Sequence, residues 1–142
     1  MLAVAQFTTD EVRSFWPELE RMLDAVPHTW KHWTKEWIVT SIEEGRIRVW
    51  GVGPPPKAVF VMFTEISSYP AMKVLNITWA AGHMPEGLFE VLAETLAKYA
   101  KLTGCDEVEV RGRRGWHPHL KRLKFRRDAD VWTRPVMGRR MN

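Results

Sequence analysis

Residues Cys105 to Phe125 read CDEVEVRGRRGWHPHLKRLKF, and no other stretch restricts the fold as tightly. Val108 and Val110 alternate with Glu107 and Glu109, the period of a strand with one covered face. Arg111 to Gly115 is a turn of arginine and glycine, and His117 to Leu123 has the length and composition of a short basic helix. A half-covered strand needs other strands beside it and a helix across one face, so the rest of the chain must supply both.

It does so in a definite order. Leu2 to Phe7 alternates weakly, as a first strand. Thr8, Thr9, Asp10 and Glu11 then have the composition of a helix start, and Val12, Phe15, Trp16, Leu19, Met22, Leu23 and Val26 recur at three and four on one helical face. Pro17 predicts either a kink or a helix that carries the proline in its first turn, and Pro27 ends it. Thr34 followed by Trp37, Ile38 and Ile42, with Gly45 afterwards, reads as a short capped helix. Arg46 to Val52, Ala58 to Ile66 and Lys73 to Trp79 are strands separated by the turns GVGPPPK and Ser67 to Met72, an antiparallel meander. The loop GHMPEG leads to a helix marked by Leu88, Leu92, Leu96 and Ala100 and ended by Gly104, and Ala129 to Val136 is a last strand.

At 142 residues, with 45% hydrophobic and 27% charged residues, the chain suits one domain with one core. No uncharged apolar run approaches the roughly 18 residues of a membrane span, and the apolar start has no basic segment before it, so neither a membrane partner nor a signal peptide is expected. Cys105 is the only cysteine, which fits a reducing compartment. Residues 111–142 hold eleven Lys/Arg against two Asp, a formal +9, while the remainder holds ten basic and fifteen acidic residues, a formal −5. Such a basic C-terminal quarter suits a polyanion, a phosphorylated ligand or an acidic protein surface.

The expected class is α/β (α+β), a mixed and mostly antiparallel sheet of about six strands flanked by about four helices. An antiparallel meander feeding a long helix, a strand and a short helix ending in Leu123-Lys124-Phe125 resembles the GNAT (GCN5-related N-acetyltransferase) fold. The segment GCDEVEVRGRRGW from Gly104 to Trp116 is similar to one in small GNAT-like proteins of tailed bacteriophages. The resemblance implies a wedge between two splayed strands in which acyl-CoA lies, with Trp79, Ala80, Ala81, Gly82 and Gly87 as the cofactor-binding positions.

Three departures from the family pattern follow. The pyrophosphate loop is AAGHMPEG (Ala80 to Gly87), its glycines are wrongly spaced, and Glu86 stands where an anion would approach. The tyrosine that protonates the leaving thiolate in many members is replaced by Leu120, and Lys124 takes the usual glycine position. No base is evident beyond Glu65 and His83.

Two functions are therefore expected. The first is a non-catalytic, virion-associated or morphogenetic interaction protein without a cofactor. It would work in the host cytoplasm during infection and in the virion, docking on other phage proteins or an assembly. Its surface would comprise Arg111, Arg113, Arg114, Trp116, Lys121, Arg122, Arg126 and Arg127, with the ridge Trp30, Trp33 and Trp37 either exposed for docking or covering the sheet edge. Basic and aromatic residues together also suit nucleic acid. The alternative is an N-acetyltransferase using acetyl-CoA at a divergent donor site, with Glu65 or a water as base. His28 and His32 have the spacing of two metal ligands, but no Glu completes a zinc motif and no metal site is read.

Overall fold

The computed structural model describes residues 3–26, 29–53, 57–110, 116–126 and 134, with the backbone alone of His117. The expected strand Ala129 to Val136 lies outside the described residues except for Arg134. Five strands lie in one sheet in chain order: β1 (Val4–Gln6), β2 (Ile47–Val52), β3 (Phe60–Ser68), β4 (Lys73–Gly82) and β5 (Glu107–Val110). The first four pair antiparallel, and β5 joins β4 in parallel. A parallel neighbour needs a crossover, which is α5 (Leu88–Leu102). The other helices are α1 (Thr9–Ser14), α2 (Trp16–Asp24), α3 (Thr29–His32), α4 (Lys35–Glu43) and, after β5, α6 (His117–Arg122). Among the described residues no helix is long and apolar enough to cross a membrane.

The helix expected from Val12 to Val26 is two helices, because Pro17 cannot bond to the carbonyl of Arg13 and its ring would collide with it. The chain breaks at Phe15 (φ −107°, ψ 17°), and Pro17 falls in the first turn of α2, where its missing N–H costs nothing. Thr8 and Glu11 start α1 with a reciprocal capping box.

Strand alternation sorts the core into two layers. Ile47, Val49, Val61, Phe63, Trp79 and Ala81 face the helices before β2, meeting Val12, Leu19, Leu23, Ile38 and Ile42. Trp50, Val52, Phe60, Met62 and Leu75 face α5 and meet Leu88, Leu92, Leu96 and Ala100.

Trp30, Trp33 and Trp37 do not share one ridge. α3 stops at His32, and α4 begins afresh at Thr34, whose hydroxyl accepts the Trp37 N–H at 3.2 Å. Trp33, in the connection, turns inward with its ring centroid 4.9 Å from that of Trp79. Trp30 and Trp37 are 39% and 38% exposed; the Trp30 indole donates to Asp24 at 2.6 Å, and the Arg46 guanidinium lies over Trp37.

Candidate functional site

β4 loses its regular surroundings on both sides at one level. Toward β3 the register shifts: Thr64 faces Ile77 but Phe63 faces Trp79, so Thr78 is an extra residue with no partner. Toward β5 the parallel pairing covers Val74–Ile77 against Glu107–Val110, and β4 then runs on to Gly82 with no strand beside it among the described residues. A bulge bends its strand and re-aims the backbone groups next to it. Thr78 to Gly82 therefore follows a bulge, is paired with β3 from Trp79 onward, and on its other edge faces no strand among the described residues.

The sequence supports this edge from both faces. Trp79 is buried against Phe63 and Trp33 with ring centroids 5.7 and 4.9 Å away, and Ala81 is buried on the same face. Ala80 is half-buried toward α5. Gly82 closes the strand at φ +110°, where an added Cβ would overlap the Val59 carbonyl oxygen and come within 2.9 Å of the Phe60 Cα. Only glycine lets the ends of β3 and β4 approach this closely, and the next N–H, of His83, bonds to the Val59 carbonyl at 2.8 Å.

The loop ends at Gly87, the N-cap of α5, in the left-handed conformation (φ 82°) and with no side chain capping the helix. The Leu88 N–H bonds to Pro85 and that of Val91 to Gly87. α6 is pinned over this first turn. Phe89 stacks on His119 with centroids 4.4 Å apart and planes 4° from parallel, meets Trp116 edge-on at 5.5 Å, and Arg122 pairs with Glu90. Glu86 stays exposed. Lys124 ends α6 at φ 69°, so the position where the family pattern has glycine keeps a glycine conformation under a lysine side chain.

The two candidate bases, Glu65 and His83, lie apart. Glu65 lies opposite Asn76 and His83 follows Gly82, so about 20 Å of strand separates them. His83 is exposed beside the open edge, whereas Glu65 is half-buried at the far end. Neither tyrosine approaches α6: Tyr99 packs on Trp50 and Tyr69 is exposed in the β3–β4 turn. On the α2 surface, away from this edge, the hydrogen bond from Arg21 lowers the Glu18 pKa, and the same bond raises that of Arg21. Of the expected interaction residues, Trp116 and Arg122 pack on α5, Lys121 and Arg126 are exposed, and Arg111, Arg113, Arg114 and Arg127 lie outside the described residues. His28 lies outside them too, and among the described residues no group of three His, Cys, Asp or Glu could hold a metal.

Thr78 and Glu90 were not singled out by the sequence. A bulge leaves no mark in the apolar run of β4, and Glu90 meets Arg122 across 32 positions.

No family model matches the chain, and no curated protein matches it. Solved structures do. They include an aminoglycoside acetyltransferase from an uncultured soil metagenomic sample in complex with sisomicin (13% identity over 95% of this chain and 96% of that one, TM-score 0.69). A GCN5-related N-acetyltransferase from Ralstonia eutropha matches at 11% identity over 97% of this chain and 100% of that one, TM-score 0.70. A predicted acetyltransferase with acetyl-CoA from Clostridium acetobutylicum matches at 11% over 96% and 97%, TM-score 0.68. The likeness is one of fold, and it extends over nearly the whole chain.

Proposed function

We propose that this protein is an acyl-CoA-dependent N-acyltransferase whose donor lies along Thr78–Gly82. The observation that carries the reading is the coincidence, at one level of β4, of the Thr78 bulge with the end of the described β5 pairing. Fold similarity to acetyltransferases, one of them with acetyl-CoA, supports it.

The residues present fit such a donor. The open edge from Thr78 to Gly82 offers backbone donors and acceptors to its amide-bearing arm. The first turn of α5, with no side-chain cap, offers N–H groups and the positive end of the helix dipole to its pyrophosphate. Glu86 and Glu90, both exposed, would oppose an anion there; Arg122 neutralises Glu90, and Lys121 adds an exposed cation to α6. When bound, the donor supplies an acyl group already activated as a thioester.

The chain's own part is positioning. The bulge aims backbone N–H groups of β4 at a reacting carbonyl, and the Trp79–Trp33 wall keeps water from one side. His83 is the titratable side chain next to the strand end and takes the proton of the attacking amine. Leu120 has no proton to give, so the proton for a leaving thiolate would come from solvent.

Calorimetry with acetyl-CoA tests the donor site, with saturable binding expected at micromolar concentration. A folded protein that shows no binding up to about 1 mM would overturn the reading. Thiol release with a panel of amines should fall about 100-fold in His83→Ala while acetyl-CoA affinity holds. Unchanged turnover in that variant would remove His83 from the chemistry.

A further inference from the structure

We propose a second ligand site, for a small oxyanion, in a cleft at the opposite end of the sheet from the donor edge. The cleft, about 400 Å³, lies between the turn before β2, β3 and the last turn of α5. It exists because β3 overhangs β2: the last β2–β3 pair is Ile47 with Glu65, and Ile66–Ser68 pair only with β4. α5 runs from the donor end to this one, a span of about 22 Å for its 15 residues.

Donor and acceptor accounting identifies the ligand. Thr64 is 1% exposed and its hydroxyl oxygen accepts the Trp50 indole N–H at 2.9 Å, which leaves the hydroxyl proton without an acceptor among the described residues. Tyr99 is held edge-on to Trp50 at 4.9 Å, and its phenol has no hydrogen bond there either. Arg48 projects on the same sheet face as Thr64, its register partner, with its guanidinium over Gly45 and no ion pair among the described residues. Lys73 spends one hydrogen on the Thr103 carbonyl at 2.8 Å and keeps two. Arg46 also borders the cleft, but its charge is committed to Glu44, Ser41 and the Trp37 ring.

One carboxylate also lines the cleft, Glu65, whose register partner Ile47 belongs to the opposite sheet face. A cleft lined by several donors, with the exposed Arg48 guanidinium at its border, suits a phosphate or carboxylate group, whose oxygens accept several such bonds at once. Burial of the Thr64 hydroxyl makes the match more than a surface charge effect, since an unused buried donor is costly.

The test uses the intact protein, inorganic phosphate and acetate, each titrated against sodium chloride of equal ionic strength and followed by backbone amide shifts. Saturable shifts centred on residues 45–48, 64–66 and 99–103 are expected, with affinity falling at least about fivefold in Arg48→Gln and in Tyr99→Phe while acetyl-CoA binding is unchanged. Response to phosphate alone assigns a phosphorylated ligand, and response to acetate assigns a carboxylate. The proposal is overturned if shifts centre on residues 82–90, if neither anion saturates below about 10 mM, or if both variants titrate as the parent does.

Discussion

Lys124 ends α6 at φ 69°, where the Cβ of an L-residue crowds the following carbonyl oxygen at a cost of roughly 1–2 kcal/mol. Lys124→Gly removes that crowding but adds freedom to the unfolded chain, so we expect a net stabilisation of about 0.5–1 kcal/mol by urea denaturation. A loss of stability would mean that the lysine side chain contributes more than its backbone costs. Gly82 is the reverse case: φ +110° and the Val59 carbonyl leave no room for a side chain. Gly82→Ala should cost about 3 kcal/mol in strain and overpacking, with the same denaturation experiment as the readout, and should shift amide signals at Val59 and His83. A neutral Gly82→Ala would show that the two strand ends can separate freely.

At the level of elements, the short break between α3 and α4 decides what three similar tryptophans do. Trp33 leaves helical register and packs into the core against Trp79, while Trp30 and Trp37 stay half in solvent. Trp33→Ala should therefore cost about 3 kcal/mol, whereas Trp30→Ala should cost about 1, mostly through its bond to Asp24. Equal losses would restore a single ridge. The pairing of α6 with the first turn of α5 combines one stacked contact, one edge-on contact and one half-exposed ion pair. A double-mutant cycle on Glu90 and Arg122 should return no more than about 1 kcal/mol, because solvent screens the pair and the ring contacts carry the docking. On α2, the hydrogen bond from Arg21 holds the Glu18 pKa below the ordinary glutamate value. Its contribution to stability is present above the ordinary glutamate range and is lost as pH falls through the lowered value; both groups are exposed, so the effect is small.

For the whole molecule, the donor edge and the oxyanion cleft sit at opposite ends of one sheet and are separately measurable. A donor present at about 100 times its Kd should raise unfolding stability by about 2.7 kcal/mol, and Arg48→Gln should leave that increment intact. The meander, the long helix and the strand after it were legible in the sequence because alternation and three-and-four spacing record which face of an element is covered. Val108 and Val110 alternating with Glu107 and Glu109 and Leu88 through Ala100 at helical spacing are the plainest cases. The break at Pro17 was legible in kind, since proline chemistry permits only a kink or a restart. Other features belong to the tertiary structure alone. The extra residue at Thr78, the inward turn of Trp33, the distance between Glu65 and His83, and the unused donors around Arg48 depend on register and on contacts between positions far apart in the chain. Local patterning records whether a side chain is covered, but it carries no information about which distant group covers it or which backbone edge is left open.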